Sequence, residues 1–237
     1  MSPRGRIIVS LMASALGLAV TVTACVWQFE RGRSRDKMAT DMATARNEPA
    51  IVLSSHLVHE PDVRYRQLIA RGTFVPGSTI LLDNQPRGAQ PGYVVFSALK
   101  LSDDRHVLVK RGWIAGSADR SVLPEVGIPA GPVEIRGMAL PPVSRFYELG
   151  TVALSERVWP HVTVERFEER FGLPFQPIVL EQQTETPDGL SRAWMPPTAV
   201  SSAKNYGYAL QWGGMALLIV GLNVYYGFRR YKASRTA

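Results

Sequence analysis

Two long uncharged apolar runs constrain this chain more than any other feature. The first covers Ile7 to Phe29 and the second Tyr208 to Phe228, 23 and 21 residues. As a helix, each is long enough to cross the roughly 30 Å of hydrocarbon in a bilayer. Tyr206, Tyr208 and Trp212 crowd one end of the second run, and Tyr225, Tyr226, Phe228 and Tyr231 the other. Aromatic residues at both ends of a span are the signature of its two interfaces. The predicted organisation is a cytoplasmic N-terminus (1–6), a first span (7–29), a β-rich periplasmic domain (30–204) with a Pro-rich linker near 185–203, a second span (205–228) and a basic cytoplasmic tail (229–237).

Charge supports this layout. The net charge of +7 is concentrated beside the apolar runs, at Arg4 and Arg6, at Arg31, Arg33, Arg35 and Lys37, and at Arg229, Arg230, Lys232 and Arg235. The interior of the domain is left nearly neutral. A nucleic-acid reader carries its basic patch on the folded domain, so nucleic acid is excluded as a partner. The run Arg229-Arg230-Tyr231-Lys232 places the C-terminus in the cytoplasm, and two spans bring the N-terminus to the same side. The basic residues after Phe29 oppose that orientation, but a long translocated domain crosses largely regardless of charge. Few residues precede Ile7, too few for a transit segment, so the expected location is a bacterial inner membrane.

The first run has two other readings. It could be a cleaved signal peptide, or a lipoprotein signal, because Val22-Thr23-Ala24-Cys25 resembles a lipobox. Its length, and the membrane-like Val26-Trp27-Gln28-Phe29 beyond Cys25, favour an uncleaved helix. A single cysteine excludes an intramolecular disulfide framework. Ala13, Gly17 and Thr21 recur every four residues, and Gly207, Gly214 and Gly221 every seven. Both sets would make flat seams, for packing on each other or on a partner membrane protein.

Between the runs the pattern is mostly that of strands. An amphipathic helix is expected over Arg46–His59, from the spacing of Ile51, Val52, Leu53, Leu57 and Val58, stopped by Pro61. Strands are expected over Tyr65–Val75, Ser78–Asp83, Tyr93–Leu101, His106–Ile114, Pro132–Leu140 and Pro177–Gln183, and a hairpin turn at Asp103-Asp104. Asn84–Gly92 and Gly116–Gly131 read as loops. Val164–Phe171 reads as a helix closed by Gly172, and His161 as part of a turn. The fold class is therefore a membrane-anchored, β-rich α+β protein whose two helices bracket an antiparallel sheet or small barrel.

No local catalytic signature accompanies this fold. P-loop, Rossmann and nucleophile-elbow patterns are missing. His56 and His59 lack the companions of a metal site and read as solvated. Asp103-Asp104 and Glu168-Glu169 are adjacent in sequence only, and neighbouring side chains diverge on strands and helices alike. The expectation is a protein that is not an enzyme and holds no resident metal.

Five segments, in order, resemble the surfeit locus protein one family, the assembly factors of haem–copper cytochrome c oxidase. They are Trp27-Gln28 with Arg31, Tyr65-Arg66 leading to Arg71-Gly72-Thr73-Phe74, Gly92-Tyr93-Val94-Val95 leading to Leu108-Val109-Lys110-Arg111-Gly112-Trp113, Val133-Glu134-Ile135-Arg136-Gly137, and Asn205-Tyr206-Gly207-Tyr208-Ala209-Leu210-Gln211-Trp212. The resemblance implies a role in delivering haem a to, or inserting it into, oxidase subunit one. Subunit one and the haem a synthesis machinery are the implied partners, and haem a a transient ligand. The family's candidate haem-ligating histidine falls on Asn205 here, and an amide is a poor iron ligand beside imidazole. Ala98 stands where the family usually has proline.

The residues implied for cofactor or partner contact are Asn205, Tyr208, Gln211, Trp212 and Arg111. Asn205, Tyr208 and Trp212 would share a helix face, with Gln211 beside them. That patch would hold a macrocycle or a partner, or else be an interfacial belt with a helix cap. Arg111 would bind an anionic propionate, or be an ordinary ion pair with Trp113 in the core. Gly72, Phe74, Gly112 and Trp113 read as structural, the glycines standing where backbones or rings approach closely. The alternative function is a membrane-anchored or lipid-linked envelope protein of unrelated activity.

Overall fold

The computed structural model describes residues 2–54, 56–102, 104–117, 119–142, 153–154, 156–194 and 201–235. The chain falls into two units, Met1–Thr40 with Met195–Ala237, and Asp41–Trp194.

The first unit is a pair of membrane-spanning helices, α1 (Pro3–Asn47) and α4 (Ala203–Arg235). They run antiparallel, because a Cβ built on Gly32 meets the ring of Tyr206, one on Gly213 meets Sγ of Cys25 at 3.5 Å, and one on Gly17 meets Ile219 at 3.4 Å. Of the first seam, Gly17 packs on α4 and Thr21 is buried while Ala13 is exposed, so the two seams do not pack on each other. The other seam does not face α1: nothing lies within 4 Å of a Cβ on Gly207, Gly214 or Gly221. Thr21 is buried in the pair and its hydroxyl donates back to the carbonyls of Gly17 and Leu18, at 2.9 and 3.0 Å. A buried hydroxyl satisfied within its own helix costs little in hydrocarbon.

Helix α1 outlasts its apolar run by 18 residues. The extension is rich in Arg, Lys, Met and Ala, all good helix formers. Its last turns belong to the second unit, where Met42 and Ala45 pack on Tyr65 and Met138. Pro49 then ends it, since the residue before proline is pushed out of the helical region.

The second unit is a closed barrel. Strands β2 (Gln67–Phe74), β6 (Pro132–Leu140), β8 (Phe175–Gln182), β5 (His106–Ala115) and β4 (Gly92–Leu101) pair in that order, and β4 returns to β2 through Gly72↔Leu101, Thr73↔Lys100 and Phe74↔Leu99. Short strands extend the edges: β1 (Ile51–Leu53) on β2, then β3 (Ile80–Leu82) on β4 and β7 (Val158–Trp159) on β3. Closure removes most exposed ladder edges. Alternate residues of all five barrel strands fill the interior: Leu68, Ala70 and Phe74, Leu99 and Leu101, Val107 and Val109, Ile135 and Ala139, Ile178 and Leu180. Each fully buried Leu, Ile, Val or Phe side chain there contributes about 1.5–3 kcal/mol.

The outer face carries a second core, in which helix α3 (Val164–Phe171) lays Phe167 on Trp159, Phe96 and Phe175. Thr163 caps α3 by accepting from the Arg166 amide at 3.1 Å, and Gly172, at φ +63°, closes it. The left-handed region suits glycine at that position.

Four expectations need correction. The helix over Arg46–His59 is replaced by the end of α1 and by β1, because Pro49 interrupts any helix and Ile51-Val52 are β-branched residues beside an open edge of β2. Pro61 stops nothing; it lies in the first turn of the short helix α2 (Glu60–Val63), where its missing N–H is no loss. The sheet is mixed rather than antiparallel, since β1–β2, β3–β7 and β5–β8 are parallel pairs; the long connection through β6, β7 and α3 returns the chain to β8 in the direction of β5. Finally, 185–194 is no linker. Leu190 and Arg192 are buried, and Trp113 and Ser191 exchange backbone hydrogen bonds of 2.8 and 2.9 Å. The rest of the linker, 195–200, and Asp103 of the hairpin turn lie outside the described residues.

Candidate functional site

The helix pair is held by a polar clasp just beyond the apolar part of α1. Gln28, Gly32, Arg35 and Asp36 stand at i, i+4, i+7 and i+8, one stripe of that helix. Asn205, buried, accepts from Nη1 of Arg35 at 2.7 Å and donates through Nδ2 to Oε1 of Gln28 at 2.8 Å. Tyr206 donates its hydroxyl to Asp36 at 2.6 Å and meets Phe29 edge-on at 5.6 Å between ring centroids. Gly32 leaves the room that the Tyr206 ring fills. Hydrogen bonds from Ser202 and Tyr206 hold the Asp36 carboxyl below its ordinary pKa.

The four residues implied at this end of α4 therefore divide. Asn205 faces α1 and Trp212 is half-buried, whereas Tyr208 (52% exposed) and Gln211 point away. Seven residues are close to two turns, but Tyr208 is rotated about 60° from Asn205 and Gln211 about 120°. Both ends of the Asn205 amide are committed to protein partners. As an iron ligand the residue does not fit, by chemistry and by these bonds.

Arg111 lies in the barrel unit. Val95 pairs with Gly112 and Phe96 with Lys110, so Arg111 is the extra residue of a bulge in β5. Bulges re-aim a side chain. Here the guanidinium points inward, fully buried, 4.9 Å above the ring of Phe74, and donates through Nη2 to Gly127 O at 2.8 Å and to Asp188 at 3.1 Å. Asp188 also takes Nη2 of Arg192 at 2.6 Å. Two buried guanidiniums thus share one buried carboxylate, with Glu185 touching Arg192 from the surface at 3.5 Å. Among the described residues, Nε and Nη1 of Arg111 and Nε of Arg192 have no hydrogen-bond partner. Burial pushes the Arg111 pKa down, against the pull of Asp188. Of the two predicted roles for Arg111, the geometry matches the ion pair, with the guanidinium fully buried.

The structural residues behave as their spacing implies. A Cβ on Gly72 would land on the carbonyl oxygen of Lys100, and one on Gly112 would press on Leu190. Phe74 is buried. Trp113 is half-buried, donates Nε1 to Gln85 O at 2.7 Å and carries Arg87 over its ring at 4.8 Å. His161 sits in the irregular segment before α3, nearly buried, with Nε2 at 2.8 Å from Arg166.

The sequence reading missed Arg35, Asp36, Gly32 and Tyr206 as a group. Their spacing relative to Gln28 would have shown them, had α1 been carried past Phe29. Asp188 and Arg192 had no such signal, since Asp188 lies 77 residues from Arg111.

A family model described as the SURF1 family matches residues 15–217, from within the first span, through the barrel, into the second span. The chain belongs to the SURF1 family. It is also 21% identical over 221 residues to a SURF1-like protein of Rickettsia conorii, a match covering 90% of this chain and 89% of that one. The family match thus covers the whole barrel and part of each membrane helix.

The helix pairing is directly testable. Gly213→Cys is expected to form a disulfide with Cys25 on mild oxidation in membranes, seen as loss of both thiols to maleimide labelling. Gly214→Cys, one position on and open, should keep both thiols. Equal labelling of the two variants would refute the packing.

Proposed function

We propose that the chain is a non-enzymatic assembly factor for haem–copper cytochrome c oxidase at the bacterial inner membrane. In this reading the barrel faces the periplasm and both termini face the cytoplasm. Family membership supports the general role in oxidase assembly. The observation that carries the reading is the extent of the family match, which runs from within the first span, through the whole barrel, into the second span. The finer proposal is that the chain assists delivery or insertion of haem a into subunit one, with subunit one and the haem a synthesis machinery as partners. Asn205 would contribute by fixing α1 to α4 rather than by ligating iron. Exposed Tyr208 and Gln211 are free to meet a partner helix.

Deleting the gene, in a strain with no related gene, is expected to lower oxidase activity and the haem a absorbance per copy of subunit one. The gene in trans should restore both. Unchanged activity and spectra would overturn the assembly role. Asn205→Ala removes two interhelical hydrogen bonds, each worth about 0.6–1.7 kcal/mol in a membrane bundle. It should complement poorly and weaken the Cys25–Gly213→Cys crosslink in parallel. Asn205→His should leave haem occupancy of subunit one no higher than wild type; a gain would mean that the position acts as a ligand site.

A further inference from the structure

At the opposite end of the helix pair from the clasp, a groove of about 400 Å³ opens between α1 and α4. We propose that it binds the headgroup of an anionic phospholipid, in the leaflet next to the basic tail. Ser10 and Ser14, one turn apart, line it from α1; Asn223, Tyr226, Gly227 and Arg230 line it from α4. These polar side chains interrupt spans that otherwise hold few, and polar groups in hydrocarbon are costly unless they meet a partner. Asn223 sends Nδ2 back to Ile219 O at 2.8 Å, which leaves its carbonyl and second N–H uncommitted. Among the described residues, no hydrogen bond engages the hydroxyls of Ser10, Ser14 or Tyr226.

Three features select the ligand. Gly227 lies between Asn223 and Arg230 on one stripe of α4, and nothing stands within 4 Å of a Cβ placed there, so the groove stays open where a side chain would fill it. The charge is complementary: Arg230 is flanked by Arg229 and Lys232, and no acidic residue follows Glu185 except Asp188. A guanidinium suits a phosphate diester, and basic pockets between spanning helices take anionic headgroups. The flanking Leu11 and Leu222 are exposed apolar side chains, at 56% and 46%. They offer a surface to acyl chains, which a free phosphate does not have.

The test uses the full chain in nanodiscs of mixed phosphatidylglycerol and phosphatidylcholine, with lipid retained on release counted by native mass spectrometry. Wild type is expected to retain phosphatidylglycerol over phosphatidylcholine. Arg230→Gln, which loses one good charged contact, and Gly227→Leu, which fills the groove, should each retain about tenfold less. Arg229→Gln should behave as wild type. Gly227→Leu keeps every charge and improves helix propensity, so loss with unchanged circular dichroism points to the groove itself. Equal loss from Arg229→Gln and Arg230→Gln would overturn the proposal in favour of diffuse surface attraction. So would full retention by Gly227→Leu, or equal retention of the two lipids. Displacement by millimolar inorganic phosphate would overturn the lipid in favour of a free anion.

Discussion

Gly72→Ala is expected to lower the thermal midpoint of the barrel by roughly 6–12 °C, from about 3 kcal/mol lost in a domain of this size. Gly72 is paired on both sides, with Val133 of β6 and Leu101 of β4. It marks the place where the sheet closes. A methyl group there would meet the carbonyl of Lys100, a backbone atom that can move only if β4 moves. The alternatives are a displaced strand or an opened ring. Gly137→Ala should act alike, because its Cβ would meet the carbonyl of Glu181 where β6 packs against β8. Gly77→Ala is the control: at φ +74° with nothing within 4 Å, it should cost only the 1–2 kcal/mol of a left-handed residue. Tryptophan fluorescence melts of the purified chain in detergent, following Trp113, Trp159 and Trp194, would report all three. Equal shifts for Gly72→Ala and Gly77→Ala would refute the close approach.

The second large effect is expected from Asp188→Asn, about 3–5 kcal/mol of lost stability. The substitution keeps the shape of the side chain but leaves Arg111 and Arg192 buried with no carboxylate between them. Arg111→Met with Asp188→Asn should cost clearly less than the sum of the two single changes, since the pair acts as a unit. Additive costs would refute that coupling.

The pH dependence follows from the same cluster. Burial raises the Asp188 pKa, but hydrogen bonds from Arg192 and Thr186, the Arg192 charge and the Leu190 amide outweigh it and hold the carboxyl below its ordinary value. The folded state therefore binds the proton less readily than the unfolded state. The resulting stability is present above the unfolded value of about 3.9 and is lost as pH falls through the lower folded value. As pH falls below about 4, wild type should lose more stability than Asp188→Asn, measured by denaturant melts. Parallel acid profiles would refute the assignment.

The two membrane helices, the helix Val164–Phe171 and most of the strands are legible in the sequence because each has a local cause. An uncharged run long enough to span a bilayer, a Thr cap with a closing glycine, and alternating apolar residues all act within a few positions. Local periodicity failed at β1, where a neighbouring strand edge captured residues spaced as in a helix. It failed again at 185–194, whose polar composition hides Leu190 and Arg192 folded onto the barrel.

The candidate site shows the same division. From the motifs alone, Asn205 is expected at the family's histidine position, and Gly72, Gly112 and Trp113 read as positions of close packing. That Asn205 is spent on Gln28 and Arg35, that Tyr208 and Gln211 turn outward, and that Arg111 meets Asp188 emerges once the elements pack together. The physical reason is reach. Helical and strand periodicities are set by neighbours along the chain, whereas an ion pair across 77 residues or a helix–helix seam depends on which surfaces folding brings together.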